Sequence, residues 1–325
     1  MRLILSFLPI ILFTGVLFCL DYFNVVSFNE LVSGFVLKVL DNPLLFIAPI
    51  LLIVLFYYLN FKMLYKKLYI DNSLRTKHET AKTSNLAWTK RFGDIAPFMQ
   101  LDLKLIMRNK RPRSSVFILV IGLLYGLFFY PNPQFANMDF FTIFVGIFIT
   151  GIFLINFGQF IPAWDSGYYR LLMSQNIKYE KYLKSKFSLM IFSVIVMFTL
   201  SIPYVYFGWK ILLAHFVAAI YNIGVNSHVI LMAGAFNRKK IDLNQRAAFN
   251  YQGTGAVQWL VGIPLLILPM ALFFILNKTI GFQGALGVLA FMGVVGIVLH
   301  PKLMKIITQK YLDSKYKMIN AFSQD

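Results

Sequence analysis

The sequence predicts an all-α membrane protein, a polytopic bundle of about eight transmembrane helices. Of its 325 residues, 58% are hydrophobic and only 14% are charged. Soluble domains average about 45–50% apolar residues. The apolar residues also fall into runs of about 20, the length that a helix needs to cross a bilayer. The positive charges lie mainly in the segments between these runs, as they do in membrane proteins.

Eight apolar runs are the predicted spans. They cover residues 3–25, 42–65, 114–130, 140–161, 187–207, 211–236, 257–276 and 282–300. We divide the chain accordingly into four parts. These are two N-terminal spans (1–65), a basic cytosolic loop (66–96), an elbow helix with a six-span bundle (97–300), and an amphipathic cytosolic tail (301–325).

The distribution of Lys and Arg predicts the orientation. The net charge is +18, and 28 of the 31 Lys and Arg residues lie at the N-terminus or in the segments 62–113, 162–186, 235–256 and 300–325. Only Lys38, Lys210 and Lys278 fall on the other side of the predicted membrane. Positively charged loops stay in the cytosol, so both termini are expected there. This pattern accounts for the basic charge without nucleic acid as a partner.

The chain shows neither a catalytic motif nor an energy source. HExxH, GxSxG and Walker A sequences are absent, and Cys19 is the single cysteine. None of the 13 acidic residues falls in the core of a predicted span, where ion-coupled carriers commonly place one. We therefore predict no enzyme activity, no metal and no cofactor, and expect any transport to be powered by another protein.

The stretch 159–186 is too polar to cross a bilayer and is rich in aromatic residues. Asp165 is placed to cap one short helix and Asn176 a second. Two short cytosolic helices favour a docking surface for another protein; the alternative is an ordinary basic loop. Interface hot spots favour Trp, Tyr and Arg. The candidate contact residues are Trp164, Asp165, Tyr168, Tyr169, Arg170 and Tyr179.

An amphipathic segment at 98–109 predicts an elbow helix that lies in the membrane interface. Its polar residues recur every fourth position opposite an apolar face, which Asp102 interrupts. Pro112 predicts a break before the third span. The basic residues expected to anchor this elbow on anionic headgroups are Lys104, Arg108, Lys110, Arg111 and Arg113.

Several polar residues lie within or at the ends of predicted spans. They are Asn156, Gln159, Asn222, Asn226 and His228. Asn222 and Asn226 are four residues apart and share one helix face. We expect the two asparagines to join helices by hydrogen bonds, with the lining of a transport pathway as the alternative. Gly146, Gly151 and Gly158 in the fourth span favour close helix contact.

Long strings of this sequence resemble a family of uncharacterised bacterial membrane proteins related to exporter-type ABC permeases. The strings are GDIAPFMQLDLKLIMRNKRPR (93–113), FGQFIPAWDS (157–166), LLMSQN (171–176), AFNRKKIDLN (235–244) and FNYQGTG (249–255). The likeness extends from about residue 40 to the C-terminus. This resemblance points to a family, which the composition and the motifs alone do not identify.

The resemblance implies a permease subunit of a bacterial inner-membrane exporter. In such permeases an elbow helix precedes six spans, and a short cytosolic helix docks on a separate ABC ATPase. By this resemblance, 98–109 is the elbow and 168–184 is the coupling region. A homodimer or heterodimer in the lipid bilayer is implied as well. The family's usual chain is longer at the N-terminus, so this sequence resembles a truncated or late-start form.

Three hypotheses for the function follow. The first is the ABC exporter subunit. The second is a non-catalytic scaffold in a membrane complex. The third is a membrane-embedded enzyme acting on a lipid-linked substrate. Its candidate polar groups are Trp164, Asp165, Tyr168, Tyr169, Asn244 and Arg246.

Overall fold

The computed structural model describes residues 47–68, 86–136, 138–245 and 255–323, together with positions 33, 34, 37, 38 and 41. The structure is 87% helical, and the part of the chain that it describes contains no strand. The all-α fold class is therefore confirmed. The chain divides into two compact units, Met1–Lys82 and Thr83–Asp325.

The first unit contains helix α1, Ile47–Leu68. This helix covers most of the predicted second span. It is apolar on all sides over its first three turns, as a lipid-facing helix requires. Lys62 lies in its last two turns, where positive charge is favoured by the helix dipole. The predicted first span, 3–25, lies outside the described residues.

The second unit opens with the predicted elbow. A 3-10 stretch, Ala87–Ile95, leads into α2, Ala96–Arg108. Pro97 lies in the first turn of α2, where its missing N–H has no helical partner to lose. Asn109 is extended, with φ −104° and ψ 144°, and separates α2 from α3, Lys110–Phe129. The break expected before the third span is thus present.

The main helices after α3 form the bundle and its basic end. They are α4 (Asp139–Gly158), α5 (Tyr169–Ser174), α6 (Tyr179–Ser201), α7 (Trp209–Gly234), α8 (Val257–Val298) and α9 (His300–Ser323). By length and composition, five segments of the described chain could cross a membrane: α3, α4, α6 with its extension to Phe207, α7 and α8. Helix α4 is the most enclosed of these five segments, because 67% of its most apolar stretch of 18 residues is buried. It therefore forms the centre of the unit.

Glycines bring α4 close to its neighbours. A Cβ added at Gly146 would lie 3.3 Å from the carbonyl oxygen of Ala214, and one at Gly158 would lie 2.6 Å from Ile230. Gly151 faces Asn222 in the same way. The close helix contact expected of these three glycines is present.

Helix α8 is a hairpin that reverses at Gly281, where φ is 75° and ψ is 174°. The carbonyl of Leu265 lies 3.2 Å from the Asn226 side chain, while Gly293 packs against the neighbouring turn of α7 at Ile220. In a straight helix, residues 265 and 293 would lie roughly 42 Å apart at about 1.5 Å per residue. Both lie beside one short stretch of α7, so the chain doubles back. The predicted spans 257–276 and 282–300 are the two halves of this hairpin.

Helices α2, α5 and α9 gather at one end of the bundle, which we call the basic end. Helix α9 contributes a buried stripe to it, and the rest of its surface is mostly polar, with Ile306, Leu312 and Tyr316 also exposed. The buried members are Met304, Ile307, Tyr311, Ser314, Met318 and Phe322. The amphipathic tail expected at 301–325 is therefore a helix whose apolar face packs on α5, α6 and α7.

Candidate functional site

A buried cluster of three charged side chains lies at the basic end. The Lys186 ammonium pairs with the carboxylates of both Asp102 and Asp165, and its Nζ lies 2.8 Å from Asp165 Oδ2. Each of the three side chains is at most 1% exposed. Asp102 comes from α2, Asp165 from the turn after α4, and Lys186 from α6. We call this set the Lys186 cluster, and it joins three segments that are distant in the sequence.

Hydroxyl groups complete the Lys186 cluster. Tyr182 donates a hydrogen bond of 2.6 Å to Asp165 Oδ2, and Tyr168 donates one to Asp165 Oδ1. Ser185 donates a longer bond of 3.4 Å to Asp102 Oδ2. A buried ion pair is tolerated only when further hydrogen bonds satisfy its remaining atoms. These donors supply them, so the cluster is a complete polar network.

Two carboxylates share one ammonium in the Lys186 cluster. Burial raises the pKa of Asp102 to about 6, the Asp165 charge acts in the same direction, and Lys186 opposes both. Burial and the Asp165 carboxylate also raise the pKa of Tyr168, so its hydroxyl stays protonated and donates. Within the described residues, no group of three or more His, Cys, Asp or Glu side chains is placed to hold a metal.

The aromatic residues of the stretch 159–186 pack on neighbouring aromatic residues. Trp164 stacks on Phe157 at 5.3 Å, and its indole N–H donates to the Phe157 carbonyl at 2.7 Å. The Tyr169 and Tyr179 hydroxyls are hydrogen-bonded to each other. The Tyr169 ring contacts Phe322 of α9 edge-on at 5.3 Å. The C-terminal helix therefore takes part in this aromatic packing.

The structure corrects the expectation that these aromatic residues form an exposed docking surface. Trp164, Asp165, Tyr169 and Tyr179 are buried, and Tyr168 is half-buried. Of the six predicted contact residues, only Arg170 is exposed. The remaining outer face of α5 and the following turn is formed by Leu171, Ser174, Gln175, Asn176 and Lys178. A partner would touch this small polar and apolar face, because the rings are used for internal packing.

The predicted elbow residues also separate into two groups. Arg108, Lys110 and Arg113 are exposed and Lys104 is half-buried. The Arg113 guanidinium donates to the Met107 carbonyl, so Lys104, Arg108 and Lys110 remain available for a membrane surface. Arg111 is buried, which corrects its expected role as a lipid anchor.

Arg111 instead holds the loop after α7. Its backbone N–H donates to the Leu243 carbonyl at 3.0 Å, and its guanidinium lies 5.4 Å from the centre of the Phe160 ring. Asp242 adds an electrostatic attraction. The residue therefore fastens this loop to the start of α3.

Asn222 and Asn226 join three helices. The Asn222 amide donates to Thr150 Oγ1 at 2.8 Å and to the Ile147 carbonyl at 3.0 Å, both on α4. The Asn226 amide donates to Asn222 Oδ1 at 2.7 Å and to the Leu265 carbonyl at 3.2 Å on α8. Both asparagines lie in a π-helical turn of α7, and Leu265 lies in a second one. The hydrogen bonds thus connect α4, α7 and α8.

The other three predicted intramembrane residues have separate roles. The Asn156 amide donates to the Ile152 carbonyl within its own helix at 2.9 Å. The Gln159 carbonyl accepts a 3.5 Å bond from Gln258. His228 contacts the Gly224 carbonyl through Nδ1, and its Nε2 lies 3.0 Å from His300 Nδ1. Of these three residues, His228 is the one that contacts α9.

Sequence reasoning missed Lys186 and Asp102 as partners. The available signal was Asp102 itself, an acidic residue on the apolar face of an amphipathic helix. A carboxylate in that position requires a buried base. Lys186 lies directly before the apolar run that begins at residue 187, which makes it a natural candidate.

Comparison with known proteins gives a family without an activity. The profile of a family of unknown function, DUF5687, matches residues 2–325, so the chain belongs to this family. No curated protein and no solved structure matches the chain. The function must therefore be argued from the site.

Proposed function

We propose that this DUF5687 protein is the membrane subunit of an exporter whose ATP is hydrolysed by a separate ABC ATPase. The proposal rests on one observation: the buried Lys186 cluster is joined to the start of α5 by the hydrogen bond from Tyr168 to Asp165. An ATPase can move a membrane bundle only through a rigid contact, and this junction supplies one. The excess of positive residues favours a cytosolic position for it.

The rigidity of α5 comes from its surroundings. A helix of six residues is too short to be stable alone. Tyr169, Leu172 and Met173 bury one side of it, while Arg170 and Leu171 stay exposed on the other. A force on the exposed side would pass through the Tyr169 contacts to α6 and α9. The same force would reach α2 through the Lys186 cluster.

The exposed face also suggests the chemistry of the partner surface. Leu171 is 65% exposed, and the neighbouring Arg170 and Lys178 carry positive charge. A complementary surface would offer an apolar pocket with acidic groups at its rim. Interfaces commonly have such an apolar centre and a polar rim.

The test uses Leu171→Asp and Arg170→Glu, which alter the exposed face and leave the buried aromatic rings intact. The measurement is a quantitative pull-down of the nucleotide-binding protein identified with the wild type. Losing a hot spot costs about 2 kcal/mol, or roughly thirtyfold in affinity. We therefore expect strong loss of the partner at unchanged membrane level. Tyr316→Asp and Lys317→Glu on α9 are matched exposed controls and should retain the partner.

Two results would change the proposal. Full partner recovery by both α5 variants would place the ATPase contact elsewhere. The absence of any ATPase among proteins that co-purify with the wild type would favour the scaffold hypothesis. The enzyme hypothesis has less support, since Trp164, Asp165 and Tyr169 are buried. Arg246, another of its candidates, lies outside the described residues.

A further inference from the structure

An apolar groove lies where α7, the second half of α8 and the start of α9 meet. Its volume is about 350 Å³, within the range of roughly 300–1,000 Å³ that is typical of small-ligand pockets. Its walls include Val225 and Val229 of α7, Met292 and Val295 of α8, and Leu303 of α9. The side chain of His228 is the one ionisable group among the lining residues.

The groove follows from the glycine contact between α7 and α8. A Cβ added at Gly224 would lie 1.8 Å from the Gly293 carbonyl oxygen, and one at Gly296 would lie 2.1 Å from the Gly224 carbonyl oxygen. The two backbones therefore touch at this point. Because the glycines have no side chains to fill the space beside the contact, a groove remains between the flanking valines.

One side of the groove is open and faces the position that lipid would occupy around the bundle. Phe291 lines it and is 68% exposed, on a helix that is apolar enough to cross a membrane. Water gains nothing from an apolar groove, because it would lose hydrogen bonds there. Acyl chains are the apolar molecules that surround such a surface.

One end of the groove is positively charged. His228 of the lining contacts His300, which packs on Phe187 with ring centres 4.3 Å apart. Lys184 lies three residues before Phe187 and therefore on the same face of α6. Lys302 precedes the lining residue Leu303 and is exposed. Lys184 also pairs with Glu180 at 2.6 Å, but exposed pairs of this kind are weak and leave the ammonium available.

We propose that this groove binds one acyl chain of an anionic phospholipid, with its phosphate held by Lys184 and Lys302. The apolar walls select the chain, and the basic end selects a negatively charged headgroup over a zwitterionic one. Each basic residue near an anionic headgroup contributes to such a preference. The site goes beyond the proposed transport function, because it requires neither an ATPase nor a transported substrate.

The first test fills the groove. The full-length chain is reconstituted in phosphatidylcholine vesicles containing phosphatidylglycerol that carries a diazirine on one acyl chain. Cross-linked peptides are mapped by mass spectrometry. We expect labelling at Met292 and Val295 in the wild type, and a loss of about tenfold in Val229→Trp. Val295→Phe is a smaller filling variant that preserves the test if the Trp variant does not fold.

The matched control is Val294→Trp, on the same helix at an exposed position outside the lining. It should label like the wild type. Equal labelling of Val229→Trp, Val295→Phe and Val294→Trp would mean general contact with the surrounding bilayer only, and would overturn the proposal.

The second test addresses the headgroup. We expect wild-type labelling to favour the phosphatidylglycerol probe over the matching phosphatidylcholine probe by about tenfold. The combined Lys184→Gln and Lys302→Gln variant should lose this preference. Soluble glycerol phosphate should not displace the lipid probe. Displacement by glycerol phosphate, or an unchanged preference in the double variant, would contradict the proposed lipid site.

Discussion

Lys186 is a single ammonium between two buried carboxylates, and it determines where three segments meet. Replacing an entire buried ion network by apolar residues is often neutral, whereas removing one partner is strongly destabilising. The important property of Lys186 is therefore that Asp102 and Asp165 both depend on it. Two carboxylates without a counter-charge could not both stay ionised at this depth.

We predict that Lys186→Met lowers the free energy of unfolding by about 3–5 kcal/mol, because it leaves two buried carboxylates without a counter-charge. Unfolding of the purified protein in mixed detergent micelles measures this quantity. The triple variant Asp102→Leu, Asp165→Leu, Lys186→Met replaces the charged network by apolar residues and should recover part of the loss.

The matched control for this prediction is Lys184→Met, on the same helix. Lys184 forms an exposed pair with Glu180, and such pairs contribute no more than about 1 kcal/mol. If Lys186→Met were as stable as Lys184→Met, the Lys186 cluster would not hold the elbow to α6.

At the residue scale, the sequence identified the right stretch but not which side of it faces outward. Trp164, Tyr169 and Tyr179 belong to types that are favoured both at interfaces and in cores. Composition alone does not separate these two uses, so exposed Leu171 was overlooked. Asp102 was different, because a charge on an apolar face indicates burial with a partner.

Helices α7 and α8 are held together by a contact between backbones. Hydropathy located their apolar segments, and the two halves of α8 agree with the runs 257–276 and 282–300. The helix ends were less predictable. Helix α6 begins at Tyr179, eight residues before the apolar run, because its first two turns are amphipathic and polar. Hydropathy identifies the part of a helix that crosses lipid and leaves such extensions out.

We predict that Gly224→Ala destabilises the protein by about 1–3 kcal/mol, the usual cost of overpacking a close contact. The new methyl group would collide with the Gly293 backbone, which cannot move aside like a side chain. The thermal unfolding temperature in detergent is the measurement. Fluorescence of a reporter fused at the C-terminus follows the amount inserted into membranes.

Gly287→Ala is the matched control on α8. Nothing lies within 4 Å of a Cβ added at this position, and alanine favours helix more than glycine does. We expect this variant to be neutral or slightly more stable than the wild type. Equal stability of Gly224→Ala and the wild type would show that the two helices are not in backbone contact.

At the scale of the whole molecule, the distribution of basic residues and the tertiary contacts both place the basic segments at one end. The basic segments 93–113, 162–186, 235–245 and 300–323 meet at one end of the second unit, through the Lys186 cluster, Arg111 and α9. Lys210 and Lys278 lie at the other end, where each is close to a Phe ring. Composition alone could predict this bias, since membrane insertion acts on loop charge. The contacts among the loops could not be predicted, because they depend on the three-dimensional packing of distant segments.

The final prediction concerns orientation. With 28 of 31 Lys and Arg residues on one side of the predicted topology, the basic end should face the cytosol. Single cysteines at two exposed positions, Gln134→Cys and Asn176→Cys, test this in a Cys19→Ser background. A membrane-impermeant thiol reagent should label Gln134→Cys in intact cells, and Asn176→Cys only after the membrane is opened. Cys19→Ser alone is the control for background labelling. Labelling of Asn176→Cys in intact cells, with Gln134→Cys protected, would reverse the orientation and remove α5 from the reach of a cytosolic ATPase.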